Sequence, residues 1–139
     1  MTLDDSIVKK TERVEIAMKR LETVKAMPRE QFLRDWKIQD AALHNLQIAI
    51  QGCLDIGNHI LGLIGGPSPE TYVQIIDFLV DNKVIPRDFT VIAKSIVRFR
   101  NLAVHEYAKI DIDKLYAIIE KTDDIRKLLE YLIVFLDKK

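Results

Sequence analysis

The chain is predicted to be all-α, a single up-and-down bundle of about five helices spanning residues 1–139 with a long second helix. Three observations predict this. Only five of its 139 residues are Gly and four are Pro, too few for the many turns of an all-β fold. Apolar residues recur at helical spacing, and no convincing strand pattern competes with them. Hydrophobic residues make up 48% and charged residues 30%, and the length suffices to bury one core without disulfides or metals.

The elements follow in order. A first helix runs from about Leu3 to Ala26, with Ile7, Val14, Leu21 and Val24 sharing a face. Pro28 stops it and can start the next. The second runs from about Arg29 to Ile64, roughly 54 Å at the usual helical rise. Its apolar members include Phe32, Leu33, Trp36, Leu43, Leu46, Ile50, Leu54 and Leu61, and Gly52 and Gly57 are positions where it can bend. Gly65-Gly66-Pro67-Ser68-Pro69 is the one strong breaker, a corner within the bundle. Ser68 and Pro69 suit the N-cap and first turn of a third helix reaching about Asp81. Pro86 and Asp88 open a fourth that continues to Tyr107 or Ala108. Asp111 or Asp113 caps a fifth, ending in Asp137-Lys138-Lys139.

Lys and Arg total 21, as do Asp and Glu, so the formal net charge is zero. This argues against gripping nucleic acid by bulk electrostatics, but leaves room for a local basic cleft. The basic residues Lys9, Lys10, Arg13, Lys19 and Arg20 of the first helix are interleaved with acids and read as a solvated face. The single Cys53 lies in an apolar helical pattern and reads as a buried, inert thiol. Residues 1–10 carry Asp4, Asp5, Lys9 and Lys10 without a signal-peptide core, and the apolar run Leu132–Leu136 is too short to span a bilayer. A cytoplasmic location without membrane contact is the expectation.

The chemistry gathers in Arg98-Phe99-Arg100-Asn101-Leu102-Ala103-Val104-His105-Glu106-Tyr107. At about 100° per residue, Ile92, Ile96, Phe99 and Ala103 form the core stripe, with Arg100 at its edge and His105 on nearly the opposite side. Val97 and Val104 form a second apolar pair between Arg100 and His105. An exposed apolar pair flanked by Arg, Asn and His asks for a covering surface, and a dimer contact is the simplest candidate. RNA cleavage requires removal of the 2′-OH proton, stabilisation of a dianionic phosphorane and protonation of the leaving 5′ oxygen. His105 is the motif residue whose ordinary pKa suits proton transfer near neutrality. Arg100 offers a permanent charge and a forked donor for phosphate oxygens. Asn101 can orient the histidine or donate to phosphate. His44, His59, His105 and Cys53 have no ligand-like spacing, so neither a metal nor another cofactor is expected.

Arg100-Asn101-Leu102-Ala103-Val104-His105-Glu106-Tyr107 resembles the Arg-x4-His-x-Tyr signature of HepT toxins, within the HEPN superfamily of helical ribonucleases. Asp55-Ile56-Gly57-Asn58-His59-Ile60, Thr71-Tyr72 and Ile110-Asp111 are also similar to the family pattern, so the resemblance covers about residues 10–135. It implies a HEPN-like bundle and a metal-independent endoribonuclease toxin of a type II or VII toxin–antitoxin pair. The enzyme would be a homodimer, with Arg100 and His105 of both subunits lining one cleft that takes RNA. The resemblance further implies a cognate minimal nucleotidyltransferase antitoxin (MntA-like) that transfers AMP onto Tyr107. On an ideal helix Tyr107 would lie nearly in line with Arg100. The alternative within the same fold is a catalytically silent HEPN domain that binds a nucleotide or a partner nucleotidyltransferase.

Other polar and aromatic residues have blander expectations. Asp55 and His59, one turn apart, read as a structural polar pair ahead of a catalytic role, with a contact to the motif helix as a further reading. His44 is an ordinary interhelical or surface histidine. Trp36, Tyr131 and Phe135 are core residues, not base-stacking platforms.

Overall fold

A computed structural model describes residues 4–138, and among them the chain forms seven α-helices, two short 3₁₀ turns and no strand. The helices are α1 (Asp5–Lys25), α2 (Arg29–Arg34), α3 (Trp36–Leu63), α4 (Tyr72–Asp81), α5 (Thr90–His105), α6 (Ile112–Glu120) and α7 (Thr122–Asp137). The α3 helix is the axis, touching α1, α2, α4, α5, α6 and α7. One apolar cluster draws on all seven, from Ile7 and Leu21 through Phe32, Leu46 and Ile76 to Ile96, Ile119 and Leu132. No helix among the described residues is long and apolar enough to cross a membrane.

The differences from the five-segment reading have local causes. The second segment breaks at Asp35, whose backbone is extended and whose carboxylate accepts from the amides of Lys37 (3.0 Å) and Ile38 (3.3 Å). That cap starts α3 afresh. Gln39 stitches the break by donating to the carbonyls of Phe32 and Leu33. Trp36, just past the break, is 65% exposed and is not a core residue. Tyr131 and Phe135 do pack against the core, Tyr131 edge-on to Phe89. The fifth segment divides at Lys121. Asp111 caps α6 through the amide of Lys114, as expected.

The breaker at Gly65 works through the backbone. Gly65 adopts φ 69°, and the amide of Gly66 reaches back to the carbonyl of Leu61 at 2.9 Å. This left-handed ending satisfies carbonyls that the last turn leaves open. Thr71, not Ser68, then caps α4 by accepting from the amide of Gln74.

Gly52 and Gly57 are sites of close approach within an unbroken α3. A Cβ on Gly52 would collide with the Val14 side chain of α1, and one on Gly57 would come within 2.9 Å of Leu79 of α4. Cys53 is buried as expected, and burial pushes its thiol up to about 12, leaving it protonated and unreactive at neutral pH.

Candidate active site

On α5 the buried face consists of Ala93, Ile96, Val97, Phe99 and Ala103. Ile92 is displaced from it and is 37% exposed, while Val97 is fully buried. The exposed Val97–Val104 pair therefore does not exist: Val104 alone faces out, at 47%. The stripe is rotated because α5 packs against α3, α4 and α7, so its covered arc is wider than one contact would require.

Arg100 is half-buried and rigidly held. Its Nε donates to Gln51 Oε1 at 3.0 Å and its Nη1 to Asn101 Oδ1 at 3.1 Å. Its guanidinium carbon sits 4.1 Å from the centre of the Tyr72 ring. Gln51 is itself anchored, donating to Asp55 Oδ1 at 2.9 Å, with the Tyr72 hydroxyl at 3.4 Å. Among the described residues Arg100 forms no ion pair with a carboxylate. Two neutral amides and a ring thus fix the guanidinium without neutralising it. The positive charge is left available to an anion.

Asn101 is hydrogen-bonded to Arg100 and, among the described residues, not to His105. His105 is the last residue of α5 and is exposed. Its neighbour Glu106 is engaged by Lys109 at 2.8 Å, and chiefly that hydrogen bond holds the Glu106 carboxyl below the usual carboxylate range. Glu106 leaves the helical region (φ −136°, ψ 47°), so α5 stops before the signature tyrosine. Tyr107 stands in the 3₁₀ turn Tyr107–Lys109, 58% exposed, beside a recess formed with Gln39, Asp40, Leu43 and Leu115. It is not on the helical line of Arg100, and the in-line geometry expected from an ideal helix is corrected accordingly.

The expected Asp55–His59 pair is also replaced. His59 Nε2 lies 3.2 Å from Asp4 Oδ2 at the start of α1, while Asp55 is used by Gln51. Asp55 thereby reaches the motif helix through one intermediary. Gln51 and Tyr72 were missed as site residues. Gln51 lies one turn from Asp55, a spacing that signals a possible side-chain pair, yet nothing local points it at Arg100.

A groove of about 320 Å³ opens over Arg100, lined by Lys10 and Arg13 of α1, His44, Gln47, Gln51, Gly52 and Asp55 of α3, and Val104 of α5. Gln47 also donates to the carbonyl of Ala103 (3.4 Å), one of the open carbonyls in the last turn of α5. Within one copy of the chain His105 does not line this groove. Among the described residues no three His, Cys, Asp or Glu side chains converge as a metal site. The arrangement can hold an anion at Arg100 and offers an exposed imidazole at the helix end, beside the Glu106 carboxylate.

Residues 14–134, almost the whole bundle, match the ribonuclease HepT-like family. The chain belongs to that family. The HepT-like assignment agrees with a curated relative, the mRNA nuclease HepT of Shewanella oneidensis, which is 28% identical over 123 residues, or 85% of this chain and 88% of that protein. Among solved structures, the tri-AMPylated Shewanella oneidensis HEPN toxin in complex with its MNT antitoxin superposes with a TM-score of 0.84 at 25% identity, covering 95% of this chain and 99% of the other. YutE of Bacillus subtilis, a cytosolic protein of unknown function, shares the fold with a TM-score of 0.77 at 21% identity, over 99% and 94% of the two chains. The all-α bundle of this HepT-like chain is that of the HEPN toxins.

Proposed function

We propose that this HepT-like protein is an endoribonuclease toxin of the cytoplasm, acting as one domain over its full length. It would cut RNA without a metal, using Arg100 and His105 with Asn101 in support. The observation that carries this reading is the uncompensated, immobilised guanidinium of Arg100 over an open groove. His105 takes the 2′-OH proton or supplies one to the leaving 5′ oxygen, and Arg100 binds the phosphorane oxygens as their charge grows. Asn101 keeps the guanidinium in place.

Arg100 and His105, five residues apart, point roughly 140° away from each other around the helix. His105 stands outside the groove of its own copy, which supports a homodimer in which two α5 helices meet and combine their motif residues. The exposed Val104 lies between them and is available for that contact. Purified protein is expected to cleave mRNA in the presence of EDTA and to leave 2′,3′-cyclic phosphate or its hydrolysis product. Cleavage that requires an added divalent cation would overturn the metal-free mechanism.

Control by a nucleotidyltransferase antitoxin belongs to the same proposal, with Tyr107 as the AMP acceptor. The exposure of Tyr107, two residues from His105, supports it: each AMP adds bulk and negative charge beside the imidazole. With the cognate MntA-like partner, ATP and Mg²⁺, intact-mass measurement should register discrete AMP additions that reduce toxicity. Tyr107→Phe should fold normally and take up none. AMP mapped to another residue would reject Tyr107 while leaving the nuclease reading in place.

A further inference from the structure

Two cations on α1 enter the groove although their sequence context reads as a solvated face. Lys10 and Arg13 are three residues apart, on one side of the helix, and both line the groove that holds Arg100. Lys10 is half-buried and Arg13 exposed. Neither has an ion-pair partner among the described residues, whereas elsewhere on α1 Glu15 meets Arg126 and Lys25 meets Asp123 across to α7. The groove therefore gathers Lys10, Arg13 and Arg100 against the single carboxylate of Asp55, itself occupied by Gln51. A chain of zero net charge thus concentrates positive charge at one place. Gly52 makes this possible: with no side chain there, α1 seats directly on α3 through Val14 and carries Lys10 and Arg13 to the groove edge.

We propose that Lys10 and Arg13 form a phosphate-binding wall for single-stranded RNA, holding the backbone next to the phosphate that Arg100 engages. The inference rests on the ribonuclease reading and extends it from chemistry to substrate grip. The groove volume of about 320 Å³ lies near the low end of ligand pockets, room for about one nucleotide, with Ile48, Gly52 and Val104 as its apolar surface. The flanking strand must then run over the α1 side, where these cations stand. They bind substrate and transition state alike, so they act on KM and leave kcat alone.

The test uses the full chain and a short labelled single-stranded RNA. Lys10→Gln/Arg13→Gln keeps much of the side-chain stems and removes the charges. It is expected to raise KM on the order of tenfold at moderate salt, with kcat held within about twofold, since each lost phosphate contact removes a salt-dependent share of affinity. Binding measured in a His105→Ala background should show a log K against log salt slope shallower by about 1.4, at about 0.7 per single-strand phosphate. Lys10→Arg/Arg13→Lys should restore the slope, and Lys9→Ala/Lys19→Ala, altering α1 cations outside the groove, should leave it unchanged. An unaltered KM and slope in a folded Lys10→Gln/Arg13→Gln protein, beside an active wild type, would overturn the wall and leave the ribonuclease standing. A fall in kcat at constant KM would also overturn it. A wild-type chain that neither binds nor cuts RNA would remove both readings.

Discussion

His105→Ala is expected to lower RNA cleavage by roughly 10²–10⁴-fold, the usual contribution of one positioned proton-transfer group. Arg100→Ala should cost about 10²–10³-fold, as for loss of a charge-stabilising donor at the reacting phosphate. Neither change should unfold the bundle. His105 is exposed at a helix end, and among the described residues the hydrogen bonds and ring contact of the Arg100 side chain are to Gln51, Asn101 and the Tyr72 face. Loss of the guanidinium leaves Gln51 Oε1 without that donor, a penalty of about 1 kcal/mol. Arg100→Lys separates charge from geometry. It keeps the cation but loses both the Nε bond to Gln51 and the planar fork, so activity should fall by at least about tenfold. Single-turnover cleavage with thermal melts on the same samples measures both effects. Full activity in a folded His105→Ala protein would end the proposed chemistry.

The second large effect is on stability, at Gly52. Val14, against which any Cβ there would press, is fully buried and β-branched, so it has little freedom to turn aside within α1. Gly52→Ala gains about 1 kcal/mol of helix propensity. Overpacking of about 1–3 kcal/mol opposes that gain, so a net loss is expected. Gly52→Val, with two methyls at the branch, should cost about 3 kcal/mol and push α1 off α3. Denaturant melts measure the loss. Adding Val14→Ala removes the obstructing methyls, so the double variant should be more stable than the sum of the two single changes predicts. Displacement of α1 also moves Lys10 and Arg13, so Gly52→Val should weaken RNA binding even at temperatures where it stays folded. A neutral or stabilising Gly52→Val would mean that the two helices do not meet there.

Much of the fold is legible without coordinates because its punctuation is local. Pro28, Gly65 and Asp111 end or start helices through their own backbone limits or side-chain caps, and those act within a few residues. The break at Asp35 was less legible. An Asp inside a long amphipathic run looks like any solvent-facing residue until its carboxylate turns onto the amides two and three residues on. The stop of α5 at His105 is similar: the residues up to Ala108 are compatible with a helix, and Glu106 departs from it all the same. Trp36 and Val97 were misassigned because periodicity ranks the faces of a helix but not the number of neighbours that cover each.

What the amino-acid order determined is the all-α class, the main corners of the bundle and the chemical inventory of the motif: a permanent cation, an imidazole, an amide and a phenol within eight residues. These depend on backbone preferences and intrinsic side-chain chemistry, which act locally. What only the tertiary structure decided is which groups meet. Gln51 reaches Arg100 across 49 residues of chain, Asp4 takes His59 away from Asp55, and a missing side chain at Gly52 brings two cations of α1 to the groove. Each of these contacts exists because packing the apolar faces onto α3 brings distant polar residues together, and no spacing along the chain encodes that outcome.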